Sequence, residues 1–473
     1  MAEKVMLMSI SQLVEAVNGT CLCCYAPDKG FSSVATDSRS VTLGSLFVPL
    51  IGEYQDGHSY IPRAIEAGAS VILVDAEHSD GSASVFSSLG KQYGVCFIRV
   101  KNTLQGLQDA AKFYVSLFPN LVKIAITGSS GKTTTKELLS SIFSVSNTVI
   151  VNEGNLNSET GLPLSVFRIR KEHQFGIFEM GMNRRGEISE LAQVVSPSLA
   201  LITNIGTAHI GILGTQIAIA EEKKEIFSQF DSTCTGFIPE HDLFYSYLSD
   251  ISKGSIVPFG ITTTKGYRGN IQKGIEGSII QYEDTEILLP LVGSYNMYNA
   301  LGAITLARYA GISVQDIKIG IEKITPLFGR AQVKKGPVTV MLDCYNANPE
   351  SMGNAIQFCS DLEWPGKKIF LLGSMLELGK NTLDAHKSVC EMAAKSDAQY
   401  VFLFGSEFED AAQGVDWKAV KHQNFHSMEV LASVLLSVVV PGDIVLIKGS
   451  RGVALERIYP IIEKIGIDEG NND

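Results

Sequence analysis

The sequence lacks an excess of positive charge, a long apolar run and any low-complexity stretch, and these absences exclude several classes of protein. Its 473 residues carry a formal net charge of −11, which argues against a general nucleic-acid binder. The longest apolar run near the C-terminus, "VLLSVVVP", is too short to span a bilayer. The N-terminus, "MAEKVMLMSISQLVEAV", has no long apolar core, so we expect no signal peptide there. We therefore expect a soluble cytoplasmic enzyme without nucleic-acid partners or membrane insertion.

The sequence also lacks a second Cys-x-x-Cys pair. Its eight cysteines are scattered except for "CLCC", which supplies Cys21, Cys23 and Cys24. A structural zinc site usually combines two such pairs, and disulfides are rare in a reducing compartment. We therefore expect structural or incidental thiols, with neither a zinc site nor a disulfide.

The length and the patterning of the chain predict three α/β domains. Residues 1–100 alternate short apolar runs with a helix-like segment, which predicts a small α/β domain. In residues 101–325, strand-like runs alternate with helical segments, as in a parallel sheet with crossover helices. Residues 260–292 resemble antiparallel strands added to the edge of that sheet. Residues 326–473 contain "VTVMLDCY", "KKIFLLGSM", "QYVFLFGS" and "DIVLIKGS", which predict a second doubly wound, Rossmann-like domain.

A glycine-rich turn joins a predicted strand to a predicted helix in "VKIAITGSSGKTTTKE", residues 122–137. A standard P-loop needs glycine where this chain has Ile126, so the loop is shortened. The backbone from Gly128 to Gly131 can still direct N–H groups at phosphate oxygens, aided by the helix N-terminus. Lys132 would neutralise phosphate charge, and the Thr133 hydroxyl would bind Mg²⁺. The alternative is an ordinary strand–turn–helix junction with an incidental Gly-Lys-Thr.

Two polar residues at predicted strand ends are candidate metal ligands. Glu179 ends the apolar run in "IFEMGM", and His209 follows another run in "TNIGTAHIG". A carboxylate is costly to bury unless it is paired or bound to a metal; each residue could instead form an ordinary core interaction. Asn155 and Asn157, which follow a further strand, could line the same cleft, although asparagine also favours such turns for conformational reasons.

Motifs throughout the chain resemble those of the Mur ligases, the ATP-dependent amide-forming enzymes of peptidoglycan assembly. The central "TGSSGKTTTKE", "GNLNSETGLPLS", "FEMGMNRRGEI" and "ITNIGTAHI" resemble the ATPase of the family, and its loop is similarly short. The N-terminal "TDSRSVTLGSLFVPLIGEYQDGHSY" resembles its UDP-sugar domain, and "GSYNMYNALGA" resembles its adenine-contacting motif. The C-terminal "YNANPESM" and "GSMLELG" resemble the branch that adds D-alanyl-D-alanine.

The resemblance implies a role for individual residues. Two Mg²⁺ ions would be held by Thr133, Glu179, His209 and Lys223, the last as a carbamate formed from CO₂; the neighbouring Lys224 is the alternative. The implied catalytic residues are Lys132, Lys223, His209, Arg330 and Asp343. The implied ATP-binding residues are Gly128, Ser129, Ser130, Gly131, Lys132, Thr133, Thr134, Asn299, Arg330 and Asp343. The implied substrate-facing residues are Asp37, Ser38, Arg39, Asn155, Asn157, Tyr345, Asn346 and Asn348.

The resemblance also implies a reaction and its substrates. The chain would use ATP to join D-alanyl-D-alanine to UDP-N-acetylmuramoyl-tripeptide through an acyl phosphate, acting as a monomer. The third residue of the tripeptide, diaminopimelate or lysine, stays open. One alternative is another ligase of the superfamily that adds a single amino acid, or a folylpolyglutamate synthase. A different class of alternative is a non-catalytic P-loop switch, although the guanine motif N-K-x-D is missing.

Overall fold

The computed structural model describes residues 5–24, 29–80 and 82–466. The first residues of the quoted N-terminal segment and the last seven of the predicted third domain lie outside the described residues. Among the described residues, no helix combines the length and the apolar character needed to cross a membrane. Three α/β units follow one another along the chain, which confirms the predicted fold class. The exact boundaries between them stay predictions.

The N-terminal unit is built on a five-stranded mixed sheet in the order β2-β7-β6-β5-β4, in which only β2 runs antiparallel to its neighbour. A separate antiparallel pair, β1 with β3, lies beside it. The strands are β1 (Met8–Ser9), β2 (Thr20–Cys23), β3 (Gly30–Phe31), β4 (Ser33–Ala35), β5 (Ser45–Phe47), β6 (Ala69–Asp75) and β7 (Cys96–Val100). The helices are α1 (Ile10–Ala16), α2 (Ile61–Glu66), α3 (Ala76–Ser79), α4 (Ala83–Tyr93) and α5 (Thr103–Ser116).

The cysteines of this unit contradict the expectation of isolated thiols. The sulfur atoms of Cys21 and Cys24 lie at disulfide-bonding distance, and the sulfur of Cys24 is also 2.8 Å from that of Cys96. The physical reason is a bulge in β2, where the pairing register with β7 shifts between Cys21 and Cys23. An extra residue in one strand changes which face the following side chains occupy.

The central unit contains a six-stranded, fully parallel sheet in the order β13-β12-β11-β8-β10-β9. Its strands are β8 (Val122–Thr127), β9 (Val149–Val151), β10 (Phe175–Glu179), β11 (Leu199–Ile202), β12 (Thr235–Pro239) and β13 (Ser255–Phe259). The helices are α6 (Lys132–Phe143), α7 (Gly161–Val166), α8 (Glu187–Val195), α9 (Ile210–Leu213), α10 (Gln216–Lys224), α11 (Tyr245–Ser249), α12 (Ser294–Tyr309) and α13 (Val314–Glu322). The strand order reverses at β8, and such a switch point opens a crevice at the carboxyl ends of the strands.

The prediction for residues 260–292 is right about antiparallel strands and wrong about their place. Strands β14 (Tyr267–Gln272), β15 (Ser278–Tyr282) and β16 (Thr285–Leu289) form a sheet of their own. The edge strand β13 contains Pro258, and proline has no N–H with which to pair another strand. The apolar side chains Ile280, Ile287 and Leu289 pack instead into the core shared with α12 and α13.

The C-terminal unit is a six-stranded sheet in the order β17-β18-β22-β19-β20-β21, in which β17 alone is antiparallel. Its strands are β17 (Gln332–Lys334), β18 (Thr339–Asp343), β19 (Lys368–Gly373), β20 (Tyr400–Phe404), β21 (Lys421–Phe425) and β22 (Ile444–Lys448). The helices are α14 (Pro349–Asp361), α15 (Thr382–Ala394), α16 (Glu407–Ala411), α17 (Met428–Val438) and α18 (Tyr459–Ile462). The four predicted strands are confirmed; the sequence reading missed the edge strands β17 and β21, which carry few apolar residues.

Candidate active site

The loop between β8 and α6 needs glycine at two positions. Gly128 has a φ of +152°, and a Cβ there would collide with the Thr203 side chain. Gly131 has a φ of +79°, and a Cβ there would collide with the amide of Asn299. Both φ values lie where side-chain-bearing residues are strained. The shortened loop is therefore pressed tightly against its neighbours, and Asn299 of α12 lies directly over it.

Asn204, which the sequence reading did not nominate, holds the first half of this loop. The N–H of Ser129 donates to the carbonyl oxygen of Asn204 at 3.0 Å, and the N–H of Ser130 donates to its Oδ1 at 3.1 Å. These two N–H groups are thus engaged within the protein. The N–H groups of Lys132, Thr133 and Thr134 belong to the first turn of α6, where backbone donors have no partner within the helix. This end of the loop is suited to bind phosphate.

The side chain of Lys132 adds a positive charge to the phosphate loop. Its Nζ donates to the carbonyl oxygen of Gly128 at 2.8 Å. Burial lowers the pKa of this amine; Glu179 opposes that shift and Arg330 adds to it. The positive charge is therefore held in a confined space, where attraction to a phosphate group is stronger than in bulk water.

Two polar side chains donate hydrogen bonds to the carboxylate of Glu179, at the carboxyl end of β10. The Thr133 hydroxyl donates to Oε2 of Glu179 at 2.8 Å, and the Asn157 side-chain amide donates to its Oε1 at 2.7 Å. Glu179 is 2% exposed. Carboxylate and hydroxyl oxygens are ligand types that Mg²⁺ prefers. The group therefore fits a hard divalent cation.

Asn152 sets the direction of Glu179. Its side-chain nitrogen donates to the carbonyl oxygen of Glu179 at 2.9 Å, and its Oδ1 accepts the N–H of Glu179 at 2.9 Å. Asn152 is fully buried. It therefore fixes the backbone that carries the candidate metal ligand, as outer groups around metal sites commonly do.

His209 is held in an unusual backbone conformation beside the C-terminal unit. Its φ is +66°, in the left-handed region that costs free energy for residues other than glycine. Its Nδ1 lies 3.2 Å from a carboxylate oxygen of Glu377, and this contact is the main cause that lowers the pKa of the Glu377 carboxyl. One ring nitrogen thus faces the C-terminal unit, while the residue lines the same cavity as Glu179.

Lys223 is a buried amine near the end of α10. The residue is 1% exposed, and burial lowers its pKa well below the ordinary range, with the charge of Lys132 lowering it further and Glu222 opposing. Its neighbour Lys224 points elsewhere: its Nζ donates to the carbonyl oxygen of Tyr247 at 2.8 Å and lies 4.3 Å from the centre of the Tyr247 ring. Of the two lysines, Lys223 is therefore the buried one, and its amine has the lowered pKa.

The C-terminal unit contributes Arg330, Asp343 and Lys448. The Arg330 guanidinium lies 3.9 Å from the centre of the Tyr345 ring. Asp343 accepts the N–H of Ala331 at 3.1 Å through Oδ1 and the Lys448 ammonium at 2.5 Å through Oδ2. Asp343 therefore neutralises Lys448 and fixes the backbone next to Arg330. The sequence reading missed Lys448, although it ends an apolar strand in the same way as Glu179.

These groups face one cavity of about 600 Å³ between the central and C-terminal units. The loop from Ser129 to Thr134 lines it together with the predicted residues Asn157, Glu179, His209, Asn299, Arg330, Asp343, Tyr345, Asn346 and Asn348. Glu350 bridges its two walls, because its carboxylate accepts the N–H of Thr207 at 3.0 Å and the Thr207 hydroxyl at 2.8 Å. The Oδ1 of Asn348 accepts the N–H of Ser351 at the start of α14, so that side chain acts as a helix cap.

Several predicted residues lie apart from the lining of this cavity. The carbonyl oxygen of Gly128 accepts a hydrogen bond from Lys132 Nζ. Lys223 is buried, and Asn155 is exposed in its turn. In the N-terminal unit, Asp37 accepts hydrogen bonds from the Arg39 guanidinium at 2.6 to 3.0 Å, and these lower the pKa of Asp37 to about 2. Ser38 is buried beside them. This trio marks a separate polar surface of the N-terminal unit.

The fold and the cavity define an ATP-dependent ligase of the three-unit Mur type, and comparisons with known proteins agree. Family models match along the chain: "Mur ligase family, catalytic domain" at residues 31–114, "Mur ligase middle domain" at 126–307 and "Mur ligase, glutamate ligase domain" at 329–451. The chain is 44% identical to the UDP-N-acetylmuramoyl-tripeptide–D-alanyl-D-alanine ligase of Treponema pallidum, over 97% of this chain and 100% of that one. It is 32% identical to the Bacillus subtilis protein of the same name, over 95% and 97%. The chain belongs to the Mur ligase family.

Solved structures agree with this assignment. A MurF crystal structure from Acinetobacter baumannii superposes with a TM-score of 0.86 at 28% identity, covering 96% of this chain and 98% of that one. MurF ligase from Thermotoga maritima in complex with ADP superposes with a TM-score of 0.77 at 26% identity, covering 91% and 97%. The family recognised from the motifs is thus confirmed.

Proposed function

We propose that the protein joins D-alanyl-D-alanine to UDP-N-acetylmuramoyl-tripeptide at the expense of ATP, giving the UDP-linked pentapeptide for peptidoglycan. The observation that carries the proposal is the cavity in which a phosphate loop, a buried carboxylate and a second domain's cations meet. The 44% identity to a full-length relative of that name supports the choice of substrates. Since one chain supplies all the residues of the cavity, we further propose a monomer that works in the cytoplasm.

The chemistry begins with activation of a carboxylate, because an amine does not displace an oxygen anion at a useful rate. The terminal carboxylate of the tripeptide attacks the γ-phosphorus of ATP, ADP leaves, and an acyl phosphate forms. The amine of D-alanyl-D-alanine then attacks the acyl carbon, and phosphate leaves from the tetrahedral intermediate. Lys132 and Arg330, which both line the cavity, would reduce the repulsion between the two anions in the first step.

The residues around Glu179 fit the two Mg²⁺ ions that the family implies. Thr133 and Glu179 would hold one ion, and His209 and a carbamate of Lys223 would hold the other. Bound Mg²⁺ would supply charge neutralisation at the phosphate oxygens. Among the residues of the chain, Asn152 would keep Glu179 oriented. The hydrogen bonds between Glu350 and Thr207 would close the cleft and so exclude water.

The carbamate proposal depends on the state of Lys223. A neutral amine attacks CO₂ and loses a proton, which converts the lysine into an anionic oxygen ligand. Burial and the charge of Lys132 favour the neutral amine by lowering its pKa. The charge of the carbamate would be balanced by Lys132 and the metal. We therefore expect Lys223→Ala to lose nearly all activity, and Lys224→Ala, the matched control on the same helix, to keep it.

A three-component assay tests the function. Phosphate release is measured with ATP, UDP-N-acetylmuramoyl-tripeptide and D-alanyl-D-alanine, and with each component omitted in turn. We expect release only with all three, and the pentapeptide as product by mass spectrometry. Running the assay with the diaminopimelate and the lysine tripeptides identifies the third residue of the acceptor.

Two results would contradict the proposal. A single amino acid that replaces the dipeptide at equal kcat/KM would make the protein a different ligase of the superfamily. Nucleotide binding without product in the complete mixture would favour a switch protein. For the carbamate, buffers depleted of CO₂ should lower the activity of the wild type reversibly; unchanged activity in such buffers would remove Lys223 from the proposed metal site.

A further inference from the structure

A second group of potential metal ligands lies in the N-terminal unit, far along the chain from the phosphate loop. Strand β2 pairs Cys21 with Ile98 and Cys23 with Phe97, so Leu22 is the extra residue of a bulge. In a regular strand, residues three apart point to opposite faces. The bulge removes that alternation, and Cys21 and Cys24 share one face.

The third member of the group is Cys96, at the start of the neighbouring strand β7. The sulfur atoms of Cys21, Cys24 and Cys96 all lie within 4.8 Å of one another. Cys21 is exposed, Cys24 is half-buried and Cys96 is buried. The group therefore reaches from the core to the surface, so that an ion could enter from solvent on the side of Cys21.

A disulfide between Cys21 and Cys24 would use only two of the three sulfurs. The sulfur of Cys24 is also 2.8 Å from that of Cys96, closer than two unbonded sulfur atoms normally approach. A metal ion in contact with all three sulfurs accounts for the closeness of Cys24 to both Cys21 and Cys96, whereas a disulfide accounts for one of these contacts only. Thiolates at about 2.3 Å from a central zinc stand roughly 3.8 Å apart, a spacing that small side-chain rotations would produce here.

We propose that Cys21, Cys24 and Cys96 bind one thiophilic divalent cation, such as Zn²⁺, with solvent or a neighbouring group as the fourth ligand. This reverses the expectation that a single Cys-x-x-Cys pair cannot form a zinc site, because the third ligand comes from a strand distant in sequence. Strand β2 is the edge of its sheet. The ion would fasten this edge strand to β7 and so stabilise the N-terminal unit.

The chemistry of the thiols predicts how binding depends on pH. A free cysteine thiol has a pKa of about 8.5 and is mostly protonated at neutral pH. Coordination requires the thiolate, and binding therefore releases protons and strengthens as the pH rises.

A second cluster in the same unit consists of Asp56, His58 and His78; the Nδ1 of His78 is buried without a hydrogen-bond partner among the described residues, but His58 has no ring nitrogen left for a metal. His58 directs Nδ1 at Asp56 at 2.8 Å, and its Nε2 accepts the N–H of Asp75 at 3.1 Å. Both ring nitrogens of His58 are thus used in hydrogen bonds. The cysteine group is therefore the better candidate.

The experiment measures binding of Zn²⁺ and Cd²⁺ to the reduced full-length protein. We expect about one tightly bound ion per chain, with thiolate-to-metal charge-transfer absorption for Cd²⁺. Cys21→Ser, Cys24→Ser and Cys96→Ser should each weaken binding at least tenfold. Cys23→Ser is the matched control, since the sulfur of Cys23 faces the carbonyl oxygens of Ser87 and Val95 instead; it should bind like the wild type.

A second measurement avoids the risk that a variant fails to fold. Wild-type protein is alkylated with and without Zn²⁺, and the modified cysteines are identified by mass spectrometry. Selective protection of Cys21 and Cys24 supports the site. Equal alkylation with and without Zn²⁺, binding that survives all three ligand substitutions, or a Cys21–Cys24 disulfide that persists after reduction and admits no metal would each overturn the proposal.

Discussion

Replacing Lys448 with methionine should destabilise the C-terminal unit, because it removes one partner of a buried ion pair. The Lys448 side chain is 1% exposed and its partner Asp343 is 16% exposed. The substitution leaves the Asp343 carboxylate with the N–H of Ala331 as its remaining protein partner. Removing one partner of a buried ion pair costs about 3–5 kcal/mol. Because Asp343 borders the cavity, water partly solvates it, and we expect about 3 kcal/mol.

Urea unfolding followed by tryptophan fluorescence measures this effect selectively. The chain has two tryptophans, Trp364 and Trp417, and both lie in the C-terminal unit. Lys335→Met is the matched control, because Lys335 is 57% exposed and its partner Glu276 is 59% exposed, and exposed pairs contribute below about 1 kcal/mol.

The double variant K448M/D343N tests whether the uncompensated charge is the cause. Asparagine at position 343 keeps an oxygen for the N–H of Ala331 but carries no charge. We expect the double variant to recover much of the free energy of unfolding that K448M loses. If K448M unfolds at the same urea concentration as the Lys335→Met control, or if the double variant is no more stable than K448M, the reasoning fails.

Three further predictions concern the loop, the metal ligand and pH. Gly128→Ala should weaken ATP binding at least tenfold in calorimetric titration, since the new Cβ would collide with Thr203; unchanged affinity would contradict the packing. Asn152→Ala should cost about 1–3 kcal/mol in urea unfolding and lower kcat more than it raises KM, because it frees the backbone of Glu179; an unaltered kcat would exclude that role. Burial lowers the pKa of His386 below its ordinary 6.5, so the unfolded chain binds more protons there, and tryptophan-monitored stability should fall as the pH drops below about 6.5. His386→Gln should lessen that fall, and an equal fall in the variant would assign it to other groups.

Much of the site was visible in the sequence because its residues follow strands. Glu179 and Asp343 end parallel strands, and the carboxyl ends of such strands meet at one edge of a sheet. The same reasoning applied to Lys448 would have found it, since β22 pairs Asp343 directly with Lys448. Asn204 also follows an apolar run, but its role depends on a loop that is remote in sequence.

Other features depend on tertiary contacts that local patterns do not carry. The sheet of β14 to β16 separates from the central sheet because its apolar face packs on helices that come later in the chain. The contact of His209 with Glu377 joins two units, and neither residue alone indicates its partner. The cysteine group needed a bulge in β2, which no alternation of residue types in "TCLC" predicts.

The contacts that the loop carrying Thr207 and His209 makes with the C-terminal unit have a consequence for the affinity for nucleotide. Glu350 and Glu377 of the C-terminal unit both contact it, so the position of that unit and the orientation of His209 are thermodynamically linked. We call the C-terminal unit docked when Glu350 and Glu377 contact this loop. If a ligand raises the equilibrium constant for docking by some factor, then docking raises the affinity for that ligand by the same factor. Substitution of Glu350 or Glu377 would therefore lower the affinity for a nucleotide that favours the docked unit, and a small molecule bound between Glu377 and the loop would inhibit without occupying the phosphate site.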